Sequence, residues 1–234
     1  MLHAEPYTTC TVCAARAKGF CGAIPLRDLD SLDRSRRLVR FDRRRTIVSE
    51  GAPALSFFNI VSGVVKLYRS LPDGRTQIIG FRFPGDFFAI SDTETYTTTA
   101  EALTVVEACR FSKSRLTRIM QSFPQAQSKI LEMCYHYLSE SEHHIILLGR
   151  KTAKEKVASF LLQYGEQFGR EAIQKNHHIC MPMTRGEIAD FLGLTTETVS
   201  RNLTSLARDN AITIGLPHSI RLLNLDLLRH ISGN

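Results

Sequence analysis

The sequence predicts an α+β chain: a β-roll or barrel first, then a long helix, then a winged pair of short helices. Three observations predict it. Residues 38 to about 115 hold short apolar runs punctuated by glycine and proline, the pattern of many short strands. Leu131, Cys134, Leu138, Ser141, Ile145 and Leu148 then recur at steps of three and four, as along one face of a helix. Residues 184–206 place two short helical patterns around Gly193, and two short β runs follow them.

The elements follow in chain order. Residues 1–22 form a lead segment with cysteines and no periodicity, and with little else to bury. Residues 24–33 suit a short helix, with Leu26, Leu29 and Leu32 at three-residue steps. The roll spans 23–122. Within it, Asn59 to Tyr68 shows apolar runs around Gly63, Asp73-Gly74 marks a hairpin turn, and Gln77 to Phe83 leads into the turn Pro84-Gly85. Ala102 to Phe111 reads as one further strand.

A long helix occupies 123–149. Pro124 suits its first turn, and it continues to about Leu148. The three-four spacing is that of a coiled-coil seam with one polar position, Ser141. The same face would equally serve a helix packed on its own roll. Glu140 and Glu142 flank the seam, and their repulsion weakens any pairing along it. A further helix covers 152–169 with Val157, Phe160, Leu161 and Tyr164 on its apolar side. It opens the last domain, 150–234.

In residues 184–206, Thr184 caps a first helix and Glu187, three residues on, completes a capping box. Gly193 supplies the positive φ of a helix end. Thr195 caps a second helix, with Thr196 beside it at the start. Val199, Leu203 and Leu206 point inward, while Glu197, Ser200, Arg201 and Thr204 share the outer face. That outer face suits a major groove. Arg gives a bidentate bond to guanine, a Glu carboxylate accepts from cytosine N4, and Ser or Thr adapts to base or phosphate. The plain alternative is a helical hairpin with a solvated charged face, where Glu197 and Arg201 pair at i, i+4. Ala211-Ile-Thr-Ile and Ser219-Ile-Arg-Leu flank Gly215-Leu-Pro-His as a β-hairpin wing, with His218 and Arg221 placed to meet phosphates.

The run Met183 to Arg201 resembles the helix-turn-helix of the CRP/FNR transcription regulators. Glu197-Thr198-Val199-Ser200-Arg201 resembles the E-[TS]-[IV]-S-R core of the FNR and FixK branches. The resemblance implies that Glu197, Ser200 and Arg201 read each half of a TTGAT-N4-ATCAA palindrome in double-stranded DNA. It also implies a cyclic-nucleotide-binding-like roll and a homodimer paired along the long helix, as a palindromic site requires. It implies contact with RNA polymerase through roll loops, with Pro72-Asp73-Gly74-Arg75 and the segment from Gly80 to Gly85 as candidates.

Cys10-x2-Cys13-x7-Cys21 places three thiols within twelve residues, and Cys109 lies in the pattern Val105-Val-Glu-Ala-Cys-Arg-Phe. Four thiolates suit a [4Fe–4S] cluster or a structural zinc ion, and spacing alone does not choose between them. A loose tail with chance cysteines is the bland alternative. The arrangement is similar to FNR-type oxygen sensors of the FnrN and FnrL kind. That resemblance implies a [4Fe–4S] cluster held by Cys10, Cys13, Cys21 and Cys109 that controls dimerisation and DNA affinity under low oxygen. A FixK-like regulator of the same type of site, without a cluster, is the alternative. Cys134 reads as a buried seam residue, and Cys180 as a thiol whose exposure decides its role. His143-His144 reads as a helix surface feature and His177-His178 as a polar loop.

Bulk properties agree with a DNA-binding protein. The 234 residues suffice for two domains, and a hydrophobic content of 43% supports real cores. A formal charge of +7 favours polyanionic partners, and charge alone would fit a membrane surface as well. Arg34, Arg36, Arg37, Arg40, Arg43, Arg44 and Arg45 form a basic run. It overlaps the strand pattern at Leu38, Val39, Phe41 and Ile47, so a solvated roll edge is expected, with general attraction to DNA. No stretch is apolar enough to span a bilayer and Met1 to Thr9 lacks a signal core. A cytoplasmic protein with reduced cysteines, not bound to membrane, is expected. Cyclic nucleotide is not expected as a ligand. In cyclic-nucleotide members of the family resembled, a Gly-Glu pair and an Arg-Ser pair hold the ribose and cyclic phosphate. The corresponding region here runs Gly85-Asp86 and then Tyr96-Thr-Thr-Thr-Ala-Glu, with no arginine, and a phosphate is poorly held without one. The sequence has no phosphate loop, nucleophile elbow or His-carboxylate zinc motif, so no enzyme is expected.

Overall fold

Strand alternation organises the first half of the chain in the computed structural model, which describes residues 9–167, 178–215 and 219–233. Eight strands follow one another there: β1 (Arg37–Phe41), β2 (Thr46–Val48), β3 (Ser56–Ser62), β4 (Val65–Ser70), β5 (Thr76–Arg82), β6 (Phe87–Phe88), β7 (Thr99–Ala102) and β8 (Val106–Ser112). They form two four-stranded sheets, β1-β8-β3-β6 and β2-β7-β4-β5. Successive side chains in a strand point to opposite faces, so neighbouring residues enter different cores. Phe58, Ala108 and Val106 join a cluster drawn from both sheets. Phe57, Cys109 and Phe111 face the other way, into a second cluster.

That second cluster is completed from outside the sheets. The helices α1 (Leu29–Ser35), α2 (Lys113–Ser122) and α3 (Pro124–Arg150) contribute to it. Leu29, Leu32, Ile119, Ala126, Ile130 and Met133 are buried there. The expected helix at 24–33 is shorter than its leucine spacing suggested. Leu26 lies in a 3-10 turn, Leu26–Asp28, and is exposed, while the α-helix begins at Leu29. Ile24, not Leu26, takes the inward position beside Leu29 and Leu32.

The single strand expected from Ala102 to Phe111 is two strands. β7 ends at Ala102 in one sheet and β8 begins at Val106 in the other. The residues between carry the chain across, with the Thr104 hydroxyl accepting from the Val64 amide at 3.0 Å. The helix α2 had a signal that periodicity in the roll obscured. Ser112 caps it by accepting from the Arg115 amide, and Leu116, Ile119 and Met120 follow at helical spacing.

The last part of the chain holds α4 (Ala153–Gln167), α5 (Arg185–Leu192), α6 (Thr196–Arg208) and α7 (Leu225–Ser232). With them is a three-stranded sheet of order β10-β11-β9, made of β9 (His178–Cys180), β10 (Ile212–Gly215) and β11 (Ser219–Leu222). His178 therefore starts a strand, where a polar loop was expected. Its neighbour His177 lies outside the described residues, as do Phe168 and the wing tip with His218. The terminal helix α7 is capped by Asn224, whose side chain accepts from the Leu227 amide at 2.9 Å, and it packs on α4.

The chain divides into two compact units. One comprises the described residues up to Arg69 together with Gly80–Tyr137. The other comprises Ser70–Ile79 with the described residues from Leu138 onward. No described helix is long and apolar enough to cross a membrane.

Candidate functional site

The structure gathers two groups of the residues expected to be functional, one in each unit. In the first unit, Cys10, Cys13, Cys21 and Cys109 all line one cavity of about 20 Å³, room for about one water. Three of them come from short turns and the fourth from β8. The turn-bearing segment is held by more than its thiols. The 3-10 turns Ala14–Ala17 and Phe20–Ala23 bury Ala15 and Phe20. The Phe20 ring sits 6.0 Å from Phe57 and 5.9 Å from Phe111, centroid to centroid. Ile24 is buried as well. The expectation that this segment has little else to bury is thus corrected: Ala15, Phe20 and Ile24 anchor it, at irregular spacing that periodicity does not detect. Gly19 is required there by close approach, since a Cβ would lie 2.9 Å from the Gly85 carbonyl oxygen.

Two arginines share the cavity wall, Arg16 and Arg36. Arg36 corrects the expectation for its run, because only 6% of its side chain is exposed. It pairs with Asp33 at 2.6 Å and donates to Cys109 Sγ at 3.5 Å. Arg16 donates from Nη2 to the Ile24 carbonyl at 2.8 Å, and its buried Nε has no hydrogen-bond partner. Asn59 Nδ2 approaches Cys21 Sγ at 4.0 Å, and its buried Oδ1 is likewise unpartnered. Cys10 donates to Asp33 at 3.3 Å.

Burial dominates the thiol acidities. It pushes Cys10 and Cys21 up to about 12, and Cys109 up to about 11 against the opposing pull of Arg36. Free, these three thiols are therefore protonated at neutral pH, and metal ligation would release their protons. Among the described residues, no three Cys, His, Asp or Glu side chains converge as a single ion would need. A tetrahedral zinc draws four sulfurs to about 2.3 Å from one point, whereas a cube takes one thiolate at each of four separated irons. Four thiols around one cavity, two cations and the unpartnered Arg16 Nε donor fit the donor and charge needs of a cube; the Asn59 Oδ1 acceptor does not serve it. The cavity around the free thiols is small, so a cluster would also displace the turn segment.

In the second unit the helix-turn-helix follows from its caps. Thr184 and Glu187 form the capping box on α5, with bonds of 2.8 and 3.1 Å. Gly193 ends α5 with φ of 61°, where a side chain would be strained. Thr195 caps α6 by accepting from the Thr198 amide at 3.1 Å. Val199, Leu203 and Leu206 are buried. Thr195, Thr196, Glu197, Arg201 and Thr204 are exposed and Ser200 half-buried. Arg201 and Glu197 lie 3.9 Å apart. The Thr204 hydroxyl donates to the Ser200 carbonyl at 3.0 Å, so it is partly engaged by its own helix. Arg221 is exposed on β11, opposite His178.

On α3, Leu131, Leu138 and Ile145 are exposed, Ile145 to 71%; Cys134 and Ser141 are exposed too, and Leu148 is half-buried. Cys134 is therefore not buried within its own chain. Five of the six seam positions are thus exposed within the single chain. His144 corrects the surface reading. Its ring stacks on Phe191 at 4.1 Å, and Nε2 bonds the Phe191 carbonyl at 2.8 Å. A carbonyl only accepts, so the imidazole carries its proton on Nε2.

Of the segments weighed for a cyclic nucleotide, Tyr96 to Thr98 line a cavity of about 150 Å³ together with Phe87 and Phe88, and Gly85-Asp86 do not. An arginine overlooked in the sequence, Arg82, lines it, its guanidinium 4.0 Å from the Tyr137 ring centroid. The Asp86 carboxylate is already committed, accepting from the Phe83 amide at 2.9 Å and the Tyr137 hydroxyl at 3.2 Å.

Comparison with known proteins agrees with both halves of this arrangement. Residues 38–123 match the cyclic nucleotide-binding domain, and residues 155–231 match the Crp-like helix-turn-helix domain. The chain is 39% identical over 206 residues to the nitrogen fixation regulation protein FixK of Bradyrhizobium diazoefficiens, covering 88% of this chain and 86% of that one. The chain belongs to the CRP/FNR family. Another CRP/FNR relative is the transcriptional activatory protein AadR of Rhodopseudomonas palustris, 37% identical over 228 residues and 94% of each chain. The solved structure of FixK2 from Bradyrhizobium japonicum superposes with a TM-score of 0.77 at 32% identity, covering 84% of this chain and 96% of that one. As a CRP/FNR regulator the chain is a DNA-binding transcription regulator and not an enzyme, from a family that acts as dimers.

Proposed function

We propose that this regulator is an oxygen-responsive homodimer that reads a TTGAT-N4-ATCAA-like palindrome when oxygen is low. Control rests on a [4Fe–4S] cluster held by Cys10, Cys13, Cys21 and Cys109. The observation that carries the reading is the convergence of those four thiols on one cavity with Arg16 and Arg36 in its wall. When bound, the cluster supplies an oxygen-labile crosslink between the turn segment and β8.

The chain's own residues do the rest. Arg16 and Arg36 offset the negative charge of four thiolates in a largely buried site. Phe20 ties the turn segment to the core that also buries Ile130 and Met133 of α3, so ligation there acts on the root of the dimer helix. Leu131, Cys134, Leu138, Ser141, Ile145 and Leu148 pair with a second copy. Pairing presents two α6 helices to successive major grooves, where Glu197, Ser200 and Arg201 meet base edges and Thr195, Thr196 and Thr204 meet base or phosphate. RNA polymerase is met through the turn 72–75 and the segment 80–85. The engaged Asp86 and the placement of Arg82 over Tyr137 support control without cyclic nucleotide.

A second reading, a FixK-like regulator with no cluster, is favoured by the small cavity and the closed aromatic packing around Phe20. One experiment separates them. Protein prepared without air is assayed for iron, sulfide and operator affinity beside Cys13→Ser. The first reading expects a straw-brown, iron-loaded protein and a variant at least about 100-fold weaker on DNA, from loss of bivalence. Iron-free protein that binds operator at full strength, with the variant equal to it, establishes the second.

A further inference from the structure

The roll has an open side that neither proposed activity uses. β1 is the end strand of one sheet and β2 the end strand of the other. The chain crosses between them at residues 42–45, and the two edges are left apart. A cleft of about 730 Å³ opens there, within the size range of small-molecule sites.

Its walls divide by chemistry. Arg37, Arg44, Arg45 and Arg110 line it, and no acidic residue does. Among the described residues none of these four is ion-paired. Arg37 and Arg110 are direct cross-strand partners on β1 and β8, and like charges placed so are destabilising. Phe41, Ile47 and Phe58 provide an apolar wall, with Phe41 edge-on to Phe58 at 6.1 Å. Arg44 sits on the rim with φ of 65°, a strained conformation for a residue with a Cβ. Its turn is pinned from both sides: the Arg44 amide donates to the Ala102 carbonyl at 2.7 Å, and the Ala102 amide donates to the Arg45 carbonyl at 3.0 Å.

Arg110 donates from Nε to Ser56 Oγ at 2.9 Å, leaving its other guanidinium nitrogens for a ligand. A cross-strand pair of arginines in the wall, beside an apolar wall, matches one kind of molecule. We propose that this cleft binds a carboxylate carrying an apolar body. The head sits between Arg37 and Arg110, where charge-assisted bonds also relieve their repulsion. The body lies against Phe41, Ile47 and Phe58. DNA backbone is the weaker match, since phosphates need a basic surface and make no use of an apolar recess. The inference is independent of the cluster.

Titration calorimetry on the full chain tests it, with decanoate as probe, acetate and inorganic phosphate as heads without a body, and decanol as a body without a head. Expected is one decanoate per chain, with each control at least about tenfold weaker. Arg37→Gln and Arg110→Gln should each weaken decanoate at least about tenfold. Ligand-free Arg37→Gln should melt no lower than wild type, because a repulsion has been removed. Decanoate should raise the melting temperature of wild type more than that of the variant. Equal binding of decanol, equal binding of acetate, or full decanoate affinity in both variants overturns the proposal. So does loss of operator affinity in Arg37→Gln with no decanoate effect, which would make the rim a phosphate contact.

Discussion

Arg36 sits among seven arginines in twelve residues and behaves unlike the rest of its run. It reaches inward, pairs with Asp33, and points a donor at Cys109. Burial pushes the Asp33 carboxyl up, but hydrogen bonds from Arg36 and Cys10 outweigh it, and the net direction is down. Replacing Arg36 with Leu leaves that carboxylate the Cys10 thiol as its remaining donor and removes the cation beside the thiols. A loss of about 1–3 kcal/mol in urea unfolding is expected, and an unchanged midpoint would refute the pairing. Arg201 is the contrasting case. Its pair with Glu197 is long and mostly exposed, and such pairs contribute almost nothing to stability. Arg201→Ala should therefore leave the melting temperature alone while costing about 1–3 kcal/mol of operator binding. Fluorescence anisotropy on operators altered at the guanine would show it: undiminished discrimination there removes Arg201 from base reading.

Helix ends set the geometry of the DNA-reading pair. Thr184 and Thr195 each satisfy amides that a helix start leaves open, and Gly193 turns the chain between them. Thr195→Ala should cost about 1 kcal/mol, read as a lower melting temperature with weaker operator binding. On α3, His144 stacks on Phe191 of α5. Burial holds its pKa below the ordinary value, the Phe191 carbonyl opposes that, and Lys156 adds to the fall. A base depressed in the folded state takes up its proton more readily when unfolded. Stability is therefore lost as pH falls through the unfolded value of about 6.5. Unfolding free energies measured between about pH 7.5 and pH 5.5 should drop more in wild type than in His144→Gln. Parallel profiles would mean that His144 is not the group responsible.

For the molecule as a whole, the exposed seam of α3 is the proposed dimer surface. Leu138 and Ile145 are exposed in the single chain, so charging them removes no core contact. Ile145→Glu should yield a folded monomer by sedimentation, with unaltered circular dichroism and operator affinity reduced about 100-fold or more. A variant that stays dimeric moves the interface elsewhere. Glu140 and Glu142 flank the seam, and neutralising both should tighten the dimer; unchanged sedimentation would dismiss their repulsion as a control. The proposed switch needs only a few kcal/mol, because bivalent binding amplifies a modest change in pairing.

Local chemistry was readable wherever a residue's role depends on its near neighbours in the chain. The Thr184–Glu187 box, the Gly193 turn, the outward set around Arg201 and the three-four seam on α3 all follow from helical geometry, which repeats every few residues. The same holds for the Asp73-Gly74 turn and most strands. What depends on contacts between distant segments was not readable. Leu26 and Ile24 exchange inward and outward places because the core, not the spacing, selects which is buried. Phe20 is the anchor of an irregular segment, Arg36 is drawn from a solvated run into the thiol cavity, and His144 leaves the helix surface for Phe191. Each of those outcomes is set by which partner, tens of residues away, offers burial or charge, and such pairings leave no periodic trace in a linear sequence.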